Sequence, residues 1–171
     1  MENQTTSSKS IMLNYGLYLG IAGILIQVII YALGLSYEQP WYAGVIGFVI
    51  TAVLIFMGSK AFRTANNDLL GFGEGLKIGM GIVLVGTILG LIYQQIFINV
   101  IEPDFVANTM EIAKQNMVEQ NMTSEQIDAA MEMSAKFSSP LMQMAFGLIW
   151  SLFVGFIISL ITSLILKRTE E

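Results

Sequence analysis

The chain has 171 residues, 54% of them hydrophobic and only 12% charged, with a formal net charge of -5, whereas roughly a quarter of a soluble domain is charged. It has no cysteine and no histidine, which removes disulfides, thiolate and imidazole chemistry, and the two commonest zinc ligands. Its 8 lysines and arginines fall in small groups with no stripe that follows a phosphate backbone, so nucleic-acid binding is excluded.

Four stretches carry no charged residue: Ser10 to Tyr37, Gln39 to Ser59, Ile78 to Ile101 and Phe137 to Leu166. About 20 apolar residues in a helix cross roughly 30 Å of hydrocarbon, and these runs are too continuous for the alternation of barrel strands. They predict an all-α integral membrane bundle of four transmembrane helices, at 11–36, 41–59, 74–101 and 139–167, in a single membrane domain over 1–171. The first run is too long for a secretory signal and no small-residue cleavage site follows it, so it is expected to remain as a helix. Lys9, Lys60, Arg63, Lys77, Lys167 and Arg168 fall on one side of this layout, with Lys114 and Lys136 alone on the other. The positive-inside rule then puts both termini in the cytoplasm.

Residues 102–138 are expected to form an outer helical loop with seven acidic and two basic residues. After Pro103 and Asp104, the residues Val106, Met110, Ala113 and Met117 recur at helical spacing and make one apolar face. A second helix is signalled at Thr123, with Gln126 completing a capping box and Met122 placed to staple against Ile127. Its apolar face would hold Ile127, Ala130, Met131 and Ser134, and Ser138, Ser139 and Pro140 end it. The pattern predicts an extracytoplasmic hairpin, or else extensions of helices three and four.

The glycines between Leu70 and Lys77 lack the spacing and the preceding strand of a phosphate-binding loop. They fit close helix packing instead: Gly75 and Gly79, Gly86 and Gly90, and Gly16 and Gly20 are four apart, so helices one and three are natural partners. Glu74 and Lys77 can pair at the cytoplasmic end of helix three. Gln27, Thr51, Thr87, Gln94, Gln95 and Ser151 are the polar residues inside the spans, and interhelical hydrogen bonding is their default role. No ionisable residue lies deep in a span, which argues against proton-coupled transport. Seven of the eleven methionines fall between Glu102 and Met144; their helical spacing suits packing better than copper(I) binding. No serine has a base to activate it, so no catalytic residue, metal or cofactor is assigned and the chain is expected not to be an enzyme.

Several features in chain order resemble one family: Leu70 to Lys77, Tyr93, Ile101 to Phe105, Thr123 to Ile127, Ser139-Pro140, Gly155 and Lys167-Arg168. Together they resemble the membrane family labelled domain of unknown function 4199. The resemblance implies four transmembrane segments, an outer helical loop and a bacterial inner membrane, with no assigned activity or site. The expected function is association, as a homo-oligomer or as an accessory subunit of another membrane protein. The alternative is a small channel or carrier for neutral or weakly charged solutes, lined by Gln27, Thr87, Gln94 and Gln95. A third reading, lipid or membrane-stress sensing by the outer helices, would need a basic rim that the sequence lacks.

Overall fold

Long apolar runs with few breakers form helices because only a helix satisfies every backbone group within one segment. The computed structural model describes residues 7–38 and 40–169 and is helical throughout apart from short connections. Gln39, taken above as the start of the second run, lies outside the described residues, as do both extreme termini. In chain order the helices are α1 (Ser8–Ala32), α2 (Trp41–Ala65), α3 (Phe72–Ile96), α4 (Phe105–Glu119), α5 (Ser124–Phe137) and α6 (Pro140–Leu166). A π-helical turn, Phe97–Ile101, continues α3. Four helices are long and apolar enough to cross a membrane: α1, α2, α6, and α3 with its π turn.

The ends differ from the sequence expectation for local reasons. Helix α1 stops at Ala32 because Gly34 turns left-handed (φ 72°), and the Gly34 and Leu35 N–H groups donate back to the Tyr31 and Ile30 carbonyls. Helix α2 runs on to Ala65, past Ser59, because a helix need not end where its charge-free stretch does, and Arg63 in its last turn suits the dipole. Glu74 does not form an ion pair with Lys77 among the described residues. Its carboxylate accepts the Gly71 N–H at 3.0 Å and caps the start of α3. Helix α6 opens with Pro140, while the Ser139 hydroxyl accepts from the Met142 N–H.

The chain divides into two compact units, residues 1–90 with 148–171, and residues 91–147. In the second unit, Phe97 is buried, with Tyr93 and Phe105 ring centroids 6.3 and 5.3 Å away. Helices α4 and α5 are separate elements that touch each other. Asn121 between them takes a left-handed backbone (φ 59°), and Thr123 with Gln126 forms the capping box. The faces expected to be apolar, Val106, Met110, Ala113 and Met117 on α4 and Ile127, Ala130 and Met131 on α5, are the more covered ones. Ser134 is exposed and does not belong to that face.

In the first unit, Ile11, Ile55, Leu70, Ile78, Ile82, Val83, Ile158 and Leu166 form the core. A clasp closes one end of it. Leu70 and Arg168 exchange backbone hydrogen bonds of 2.8 and 3.0 Å, and Asp68 takes both the Arg63 guanidinium, at 2.8 Å, and that of Arg168. Asp68 reaches both arginines from a left-handed backbone (φ 62°), which aspartate tolerates better than most residues.

The Arg63 hydrogen bond, assisted by the charge of Arg168, holds the Asp68 carboxyl below its ordinary pKa. A lowered folded pKa stabilises the fold fully above the unfolded value of about 4, and that contribution is lost as the pH falls through the lower folded value. Asp68→Asn is therefore expected to flatten part of the acid-side loss of melting temperature seen in the parent. Identical acid slopes for the two proteins would show that the clasp does not act.

Candidate functional site

The glycines of the first unit fall into two groups. In one, a methyl group has no room. On α1, a methyl built at Gly16 would stand 2.5 Å from Val85 Cβ, and one at Gly20 would stand 2.7 Å from Leu89 Cδ1. Gly86 of α3 receives Leu19, with carbons 2.9 Å from the added methyl. This is a parallel α1–α3 seam, the partnership expected from the sequence.

Gly75 and Gly79 serve a different neighbour, facing α6 and not α1. A methyl at Gly75 would lie 2.6 Å from Ser163 Oγ, and one at Gly79 would collide with the Ser159 hydroxyl. The antiparallel α3–α6 seam continues with Gly155, whose methyl would lie 2.6 Å from Val83 Cγ2. It ends at Thr87, bonded to Ser151 at 2.9 Å. Each tier advances four residues on α3 and retreats four on α6. The Ser159 and Ser163 hydroxyls are buried without a hydrogen-bond partner among the described residues.

In the second group a methyl would meet nothing within 4 Å: left-handed Gly34, Gly73 in the first turn of α3, and the four glycines Gly23, Gly44, Gly47 and Gly90. All four line one cavity of about 500 Å³ within the first unit, the size range of small-molecule sites. Gln27, Thr51, Thr87 and Ser151 bring the polar groups, while Ile26, Phe48, Ile50, Val83, Trp150 and Val154 are among its apolar walls. The cavity occupies the half of the unit toward the α1–α2 connection; the half toward the Leu70–Arg168 clasp holds the packed core. Phe48 and Trp150, 53% and 68% exposed, form its rim together with Gly23, Gln27 and Gly44, which are exposed too. Among the described residues, no charged one lines it.

Of the residues expected to line a pore, Gln27 and Thr87 share this cavity, while Gln94 and Gln95 belong to the second unit and do not line it. The Gln95 main-chain carbonyl accepts from Asn99 Nδ2 at 2.7 Å. Of the expected packing glycines, Gly90 touches nothing across the helix and borders the cavity instead. Sequence reasoning gave no packing role to Gly155, Ser159 and Ser163, although Ser151, Gly155, Ser159 and Ser163 repeat at intervals of four, a small-residue pattern as clear as the glycine pairs.

A family model described as "Protein of unknown function (DUF4199)" matches residues 14–168. Comparison with curated proteins and with solved structures returned no match.

Substitution should separate the two groups of glycine. Glycine inside a helix costs roughly 0.5–1 kcal/mol relative to alanine where space allows, and overpacking costs about 1–3 kcal/mol. Alanine at Gly23, Gly44, Gly47 or Gly90 is expected to leave the melting temperature in detergent unchanged or raised, and Gly79→Ala to lower it. Equal effects in both groups would contradict the division.

Proposed function

We propose that this chain, which belongs to the DUF4199 family of proteins of unknown function, is a multi-pass membrane protein that binds an uncharged, mainly apolar small molecule in the cavity of its first unit. One observation carries this reading. Five helical glycines of the first unit have no packing reason to be glycine; Gly73 lies in the first turn of α3, and the other four, from three different helices, all border the same void. Filling such a void is favourable for packing, since cavities cost stability and alanine is the better helix former. An apolar pocket with a few convergent polar groups is the usual form of a small-molecule site.

The packed core beyond the cavity supports a site open at one end over an open channel. The absence of charge in the lining favours neutral ligands, because an unpaired ion would lose its hydration there. On this reading the chain is not an enzyme, and it lies in a bacterial inner membrane with the clasp end and both termini in the cytoplasm. The convergence of Arg63, Asp68 and Arg168 at one end supports that orientation. A second reading, association with itself or with another membrane protein, draws support from the exposed Val118, Met133 and Phe137 on α4 and α5.

The test is mass spectrometry of the protein gently extracted from its own membrane, beside Gly47→Leu/Gly90→Leu, which fills the cavity. A neutral molecule retained by the parent and missing from the folded variant is the expected result. Identical small-molecule content in the two preparations would defeat the proposal. Retention of a second protein chain by both would favour association.

A further inference from the structure

The direction of the hydrogen bonds around the cavity restricts its ligand further. A hydroxyl has one proton to donate and two lone pairs to accept with. The Thr51 hydroxyl lies 2.8 Å from the Gly47 carbonyl, which can only accept, so the Thr51 proton is committed there. The Ser151 hydroxyl lies 2.9 Å from the Leu148 carbonyl, so the Ser151 proton is committed as well. Thr87 and Ser151 are joined at 2.9 Å. With the Ser151 proton already spent, Thr87 must be the donor in that bond.

All three hydroxyls that line the cavity have therefore given their protons to the protein, and what they offer a ligand is lone pairs. Gln27 is the fourth polar side chain in the lining. Its amide offers a further acceptor and two donors, and the indole N–H of Trp150, which also lines the cavity, is the other side-chain donor. A ligand polar group that only accepts, such as an ether or an ester, finds two donor side chains, Gln27 and Trp150, whereas one that donates finds the oxygens of Thr51, Thr87, Ser151 and Gln27. A carboxylate or phosphate is doubly unsuited, since it accepts only and carries a charge that no lining residue balances. The rim adds the direction of approach: the aromatic rings of Phe48 and Trp150 line the cavity and stand more than half exposed, on helices long and apolar enough to cross a membrane.

We infer, on the basis of the binding function proposed above, that the cavity selects an uncharged, hydroxyl-bearing lipid-like molecule, which enters from the bilayer past Phe48 and Trp150 and donates its proton to one of the oxygens of Thr51, Thr87 and Ser151.

Trp150 provides the readout. The chain has 2 tryptophans, so Trp41→Phe leaves Trp150 as the sole emitter at the rim. In phosphatidylcholine vesicles, quenching of Trp150 by an ω-brominated long-chain alcohol is compared with quenching by the methyl ether of the same alcohol. The ether keeps the chain and the oxygen and loses only the donated proton. The alcohol is expected to quench at a mole fraction roughly three- to tenfold lower, the worth of about one net hydrogen bond. That advantage should vanish in Thr51→Val/Thr87→Val/Ser151→Ala. Equal quenching by alcohol and ether in the parent, which needs no lining variant, would overturn the donor selectivity. If that equal quenching exceeds what Gly47→Leu/Gly90→Leu shows, the cavity still binds and only this inference fails. If neither probe quenches the parent more than the filled variant, both the inference and the proposed function fail.

Discussion

The close approach of α3 to α1 and α6 is the contact on which the rest of the first unit depends. Inside a bilayer, helices gain little from hydrophobic burial, because lipid tails are as apolar as the side chains. Association must come from dense van der Waals contact and a few polar links, and both need backbones close together. Gly16, Gly20, Gly75, Gly79, Gly86 and Gly155 supply that proximity, each at a point where a single methyl group would collide with the neighbour. The core of Ile55, Ile78, Ile82, Val83 and Ile158 closes around the same seams.

The same residue type has the opposite consequence elsewhere in the unit. Toward the α1–α2 connection, Gly23, Gly44, Gly47 and Gly90 face no neighbour, and the missing side chains leave a cavity. Thr87 and Ser151 stand at the junction: their bond is the last tier of the α3–α6 seam and part of the cavity wall. Rigid packing on one side and free volume on the other therefore share the same helices. A void held open by a rigid base is pre-organised for a ligand, which lowers the ordering cost of binding. At the far end the clasp through Asp68 and the Leu70–Arg168 pairing ties the α2–α3 connection to the end of α6.

The four apolar spans, the capping box at Thr123 and the packing role of Gly16, Gly20 and Gly86 were legible in the sequence. Each follows from a local pattern: a run of apolar residues, a Thr and Gln three apart, or small residues four apart. The neighbour of Gly75 and Gly79 was less accessible, because a small-residue spacing shows that something packs closely without showing what. The matching Gly155, Ser159 and Ser163 run on α6 carried the missing information. The cavity was not legible, since a glycine against a neighbour and a glycine against a void look identical in one dimension. Nor was the Asp68–Arg168 pair, whose partners are separated by 100 residues. The early end of α1 was hidden for a similar reason, as Gly34 reads as one more small apolar residue until its left-handed turn is seen.

The absence of cysteine from the chain makes single-cysteine labelling the most direct test of the division between dense seam and open cavity. Cysteine is placed in turn at Gly47, Thr87, Ser159 and Ser163 in vesicles and exposed to a small, membrane-permeant, uncharged thiol reagent. The account predicts reaction at Gly47→Cys and Thr87→Cys and protection of Ser159→Cys and Ser163→Cys until the protein is unfolded. Equal reactivity at all four positions, or protection of the first two, would contradict it.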